Sequence, residues 1–99
     1  MPVYTAPVDE VLFLLQDVFA YQRHGNLPSF QAVTPDVIAA ILREGAKFAE
    51  DVLQPLNRVG DTQGCTRHAD ASVTTPDGFK AAYEQMAQAG WIGLVADPD

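Results

Sequence analysis

Cys65 and His68 have the spacing of half a zinc site, and His24 is a further imidazole that could join them. A structural zinc wants four ligands, usually in two close pairs, and this sequence has one cysteine and two histidines. As a nucleophile, Cys65 would need a base and a group to orient it; Thr66, Arg67 and His68 beside it in a polar loop define no such set. The run GDTQG, Gly60 to Gly64, has the glycines of a phosphate loop. It lacks the Lys-Ser/Thr ending and follows a helix rather than a strand, so it reads as a turn. Glu50 and Asp51 are adjacent and point about 100 degrees apart on a helix, which rules out an acid/base pair. They read as a solvated face paired with Lys47, and Phe79, Tyr83 and Met86 read as a core stripe. No catalytic, cofactor-binding or metal-ligating residue is assigned.

The elements that hold these residues follow from periodicity. Val11, Leu12, Leu15, Val18 and Phe19 recur at offsets of three and four, which predicts a helix from Val8 to Arg23. Asp9 and Glu10 suit its start, and Arg23 and His24 its end. Gly25 and Asn26 stop it, and a loop through Pro28 follows with Leu27 and Phe30 as anchors. Thr34 then caps a second helix, with Pro35 at the first position and Asp36 in the first turn. Its stripe runs through Ile38, Ile41, Leu42, Gly45, Phe48, Ala49, Val52, Leu53 and Leu56, with Arg43, Lys47, Glu50, Asp51 and Gln54 opposite. Gly45, Ala46 and Ala49 thin the stripe so that a crossing helix can come close, and Pro55 predicts a kink in the last turns.

Arg58 to Val73 has no helical period and reads as a surface loop. Thr75, Pro76 and Asp77 repeat the earlier capping device and open a third helix with Phe79, Ala82, Tyr83 and Met86 on one face. Gly90 closes it in a left-handed conformation, placing Trp91 where a Schellman motif sets a hydrophobic residue against Met86. The fold class expected is all-α, a small bundle of three main helices joined by loops.

Composition narrows the partners. With 99 residues there is room for one small domain, and 47% apolar residues give it the means to build a core. Thirteen acidic residues against six basic ones leave a net charge of -7. That balance argues against nucleic acid and anionic membrane, which are held by clustered Lys and Arg. No export signal or spanning segment is visible, and a single cysteine suits a reducing cytoplasm.

The stretches FAEDVLQPLNRVGDTQGC and VTTPDGFKAAYEQMAQAGWIGLVADPD resemble the helical N-terminal domain of acyl-CoA dehydrogenases. YTAPVDEVLFLLQDVF resembles the extra N-terminal segment of a long bacterial subgroup of that family. The order of features carries the likeness: a long helix ending in Pro55, Leu56 and Asn57, a Gly-Asp loop, a Thr-Pro cap, then a helix closing on Gly-Trp before the turn at Pro98. The resemblance implies one domain over 1–99, with an extension helix and loop at 1–33, core helices at 34–90 and the start of a connection at 91–99. On this expectation the chain is a fragment, and middle and C-terminal domains of the same protein follow it.

In that family a glutamate removes the α-proton of an acyl-CoA, a hydride leaves the β-carbon for FAD, and electrons pass to an electron-transfer flavoprotein. The base and the main flavin contacts lie outside the N-terminal domain. The resemblance therefore implies FAD for the whole enzyme and none for this stretch, whose share is to pack on the other helical domain and help wall the acyl pocket. The apolar run Trp91, Ile92, Leu94, Val95 is expected to be covered in the parent and to drive homo-oligomer formation otherwise. The competing expectation is a stand-alone acidic helical protein-interaction module.

Overall fold

A computed structural model of the chain describes residues 2–96. It is mainly helical, as the all-α expectation requires. The turn expected at Pro98 lies outside the described residues. The chain divides into two units, Met1–Asp51 and Val52–Asp99.

In the first unit α1 (Val8–Phe13) carries Asp9 and Glu10 in its first turn. It continues as a π-helical turn, Leu14–Val18, in which the Phe19 N–H donates to the Leu14 carbonyl at 2.8 Å. Ala20 then takes a left-handed φ of 48°. The single helix expected over Val8 to Arg23 is thus corrected: it ends near Val18, because a left-handed residue breaks the helical ladder well before Gly25. Arg23 and His24 belong to a separate 3-10 turn, Tyr21–His24. The wider π turn also rotates the stripe. Val8, Val11, Leu12 and Leu15 are half-buried, whereas Val18 and Phe19 face solvent. In the following loop the Phe30 ring stands edge-on to Tyr21, 6.0 Å between centroids.

α2 (Pro35–Phe48) starts as expected. The Thr34 hydroxyl accepts the Val37 N–H at 3.3 Å, Pro35 opens the first turn, and Ile38 is buried. α1 packs against α2. A second π-helical turn follows at Ala49–Leu53. Glu50 is half-buried there, and its Oε1 accepts the backbone N–H of Ala6 at 2.8 Å. This corrects the solvated, Lys47-paired reading of Glu50: the extra residue in the π turn changes which side chains face inward.

The second unit begins its regular structure with α3 (Gln54–Gln63). Neither the ending at Leu56 nor a loop from Arg58 is observed. Pro55 sits in the first turn of α3, just after the π turn, where its missing N–H is not needed. The helix persists to Gln63 with the tip of the Phe79 ring packed against Gly60, and within it the Thr62 hydroxyl donates to the Arg58 carbonyl at 2.9 Å. Gly64 ends it at φ 62° and ψ -177°, a conformation almost restricted to glycine. The exposed segment after it forms a two-stranded antiparallel hairpin, β1 (Thr66–Arg67) with β2 (Val73–Thr74), Thr66 facing Thr74 and Arg67 facing Val73.

α4 (Phe79–Gln88) is capped by Gly78 at φ 85°, with no side-chain cap. Thr75 therefore does not open the helix as expected. Pro76 is buried, and Asp77 is taken up by Gln63, whose Oε1 accepts the Asp77 N–H at 2.9 Å and whose Nε2 donates to Asp77 Oδ2 at 3.2 Å. The C-terminal end agrees with expectation. Gly90 has φ 86°, its N–H donates to the Ala87 carbonyl at 3.1 Å, and the Trp91 N–H donates to the Met86 carbonyl at 3.2 Å. These two bonds are a Schellman motif.

Candidate functional site

Two helical faces of the second unit meet around an apolar groove. Leu53, Leu56 and Asn57 come from the π turn and α3, and Phe79, Ala82, Tyr83 and Met86 from α4. The spacings of three and four residues within each set put each on one helix face. Their approach depends on two missing Cβ atoms. A Cβ on Gly60 would lie 2.6 Å from Phe79 Cζ, and one on Gly78 would lie 2.8 Å from Leu56 Cδ2. The Gln63–Asp77 pair of hydrogen bonds ties the end of α3 to the turn before α4.

The groove encloses about 190 Å³. Ala82 floors it at 6% exposure, while Tyr83 is 60% exposed at its edge. Its lining is almost wholly apolar, so it can recognise a short apolar chain. A flavin does not fit this lining, which offers neither a cation nor a glycine-rich turn for a pyrophosphate.

The residues weighed for chemistry lie elsewhere. Cys65 is exposed. His68 Nε2 is 2.6 Å from Thr74 Oγ1 across the hairpin, and the ring of His24, in the other unit, lies 6.2 Å from that of Phe30. Among the described residues no three His, Cys, Asp or Glu side chains gather as a metal site. Asp70 Oδ1 accepts both the hydroxyl of Ser72 at 2.6 Å and its N–H at 3.0 Å. The Ser72 hydroxyl and then its N–H hold the Asp70 carboxyl below the usual aspartate range.

Phe79, Tyr83 and Met86, read from the sequence as core, line the groove instead. The opposing wall continues the expected stripe of Leu53 and Leu56 past Pro55 and adds Asn57, which that stripe did not include. The Gln63–Asp77 clamp had no sequence signal, since a pair 14 residues apart belongs to no local pattern.

No family model matches the chain. A 3-methylmercaptopropionyl-CoA dehydrogenase of Ruegeria pomeroyi is 31% identical over 91 residues, which is 92% of this chain. The chain spans 15% of that relative's length. Among the described residues no helix is long and apolar enough to cross a membrane. Over nearly all of its length, therefore, this chain is similar to a stretch of that dehydrogenase, in keeping with the acyl-CoA dehydrogenase resemblance of its sequence.

Proposed function

We propose that this chain serves as the helical N-terminal part of a flavin-dependent acyl-CoA dehydrogenase acting in the cytoplasm on an acyl-CoA thioester. The reaction is α,β-dehydrogenation, with FAD as hydride acceptor and an electron-transfer flavoprotein as the next carrier. The base and the flavin contacts belong to middle and C-terminal domains of the same protein, which assembles as a homo-oligomer. Residues 1–33 are its extension, 34–90 its core helices and 91–99 its connection to those domains.

The observation that carries this reading is the 31% identity to a dehydrogenase across 92% of the chain. The groove gives the segment a task within it. Leu53, Leu56, Phe79, Ala82 and Met86 exclude water along a hydrocarbon tail. The chain needs no catalytic residue for that task.

The test compares the 99-residue chain with the complete product of its gene. The complete protein is expected to purify yellow and to dehydrogenate acyl-CoA with an electron acceptor, and the isolated chain to be colourless and inert. Stoichiometric flavin on the isolated chain, or a complete product without acyl-CoA oxidation, would overturn the proposal.

A further inference from the structure

We propose that the outward face of α1 and its π turn is a docking surface for a partner with an apolar centre and a Lys/Arg rim. It rests on residues that the groove does not use and stands independently of the function proposed above. The inner side of this helical run, Val8, Val11, Leu12 and Leu15, is half-buried. The outer side is also apolar. Phe13 is 56% exposed and Phe19 59%, and Leu14 and Val18 are exposed with them. A helix apolar on both sides is one that is covered on both sides.

Charge decides what covers it. Asp9 and Glu10 stand one turn before Phe13 and Leu14, and Asp17 one turn after them, all exposed. Residues 2–22 contain no Lys, Arg or His. A partner that seals Phe13, Leu14 and Val18 also strips water from Asp17, which is unfavourable unless a cation faces it. A second copy would set Asp9, Glu10 and Asp17 against the same carboxylates, with Arg23 and His24 of the adjoining turn as the nearest cations in sequence, so self-pairing through this face is disfavoured. The complementary surface is therefore one whose apolar centre carries a Lys or Arg opposite Asp17, as on a basic amphipathic helix.

Two synthetic helical peptides test this, identical in their leucine face and differing in Lys or Glu on the flanking positions. Each is titrated into the ¹⁵N-labelled 99-residue chain. The Lys peptide is expected to shift the amides of residues 9–19 and to bind about tenfold more tightly than the Glu peptide. Its affinity should fall about tenfold in Phe13→Ser/Phe19→Ser and in Asp17→Lys, with Asp17→Asn intermediate as the variant least able to disturb the helix. An acidic chain attracts any polycation, so Lys-peptide binding unchanged by these substitutions would overturn the proposal. Equal binding of the Glu peptide would overturn it, as would concentration-dependent shifts at residues 9–19 without peptide, the mark of a second copy.

Discussion

Between Val52 and Ala96, glycines at positive φ end or open the helices: Gly64 after α3, Gly78 before α4 and Gly90 after it. Between Pro2 and Asp51 the positive φ falls on an alanine, Ala20. The consequences differ. In the second unit Gly60 and Gly78 let Phe79 and Leu56 close in, and apolar side chains are gathered into a groove. In the first unit a π turn and a left-handed alanine turn Val18 and Phe19 out to solvent. Glycine placement encloses an apolar site in one region, while a change of helical register leaves an apolar face open in the other.

The contrast is broken most strongly at Gly78. Gly78→Val puts a branched side chain at φ 85° and against Leu56, and should destabilise the chain by about 2–4 kcal/mol in denaturant titration. A loss below about 1 kcal/mol would mean that the close approach is not what sets α3 and α4. In the first unit Glu50→Ala removes the acceptor for the Ala6 N–H, and about 1–2 kcal/mol should be lost in the same measurement. Amide exchange at Ala6 should rise with it; an unchanged Ala6 amide would show that the N-terminal segment is held by other contacts.

Smaller effects form a mirrored pair. Gly90 has open space around a Cβ, so Gly90→Ala carries only the penalty of positive φ, about 1 kcal/mol in a thermal melt. Ala20→Gly relieves the same penalty and should raise stability by about 0.5 kcal/mol, part of the gain being offset by the greater freedom of glycine in the unfolded chain. Equal signs for the two variants would refute the assignment of the left-handed positions.

The smallest effect is in the exposed hairpin. Because folding lowers the Asp70 carboxyl below its ordinary value of 3.8, the contribution is present above that pH and is lost as pH falls through the lowered value. Protection of the Ser72 amide, referred to the intrinsic exchange rate at each pH, should therefore fall as the pH drops below 3.8, and Asp70→Asn should abolish that dependence.

Sequence patterning located what local chemistry controls. Thr34 with Pro35, the stripe from Ile38 to Phe48, and the Gly90–Trp91 ending are settled within a turn or two of chain, and each stands where expected. The failures share a cause. Arg58 to Gln63 looks like loop because Gly60 and Thr62 are poor helix formers, yet Phe79 packs on that glycine and outweighs its propensity. Thr75 looks like a cap, yet the helix opens only after Gly78 at φ 85°, and Asp77 bonds instead to Gln63, far away in sequence. The π turns at Leu14–Val18 and Ala49–Leu53 leave no compositional mark, and each moves a stripe by part of a turn. Both walls of the groove were legible as apolar stripes, Leu53 with Leu56 and Phe79 with Tyr83 and Met86, but their meeting depends on contacts between distant residues that no local pattern records.

The central claim is that this groove walls an acyl pocket, and Tyr83 reaches it most directly. Tyr83 is exposed at the groove edge, so Tyr83→Ala should leave the fold intact while enlarging the space. In the complete enzyme, kcat/KM is measured for a series of acyl-CoA thioesters of increasing chain length. The expected result is a shift of about tenfold or more in the long-to-short ratio in favour of longer chains, the scale of one or two methylenes in an apolar pocket. A ratio unchanged within about twofold, with normal flavin content, would contradict the claim.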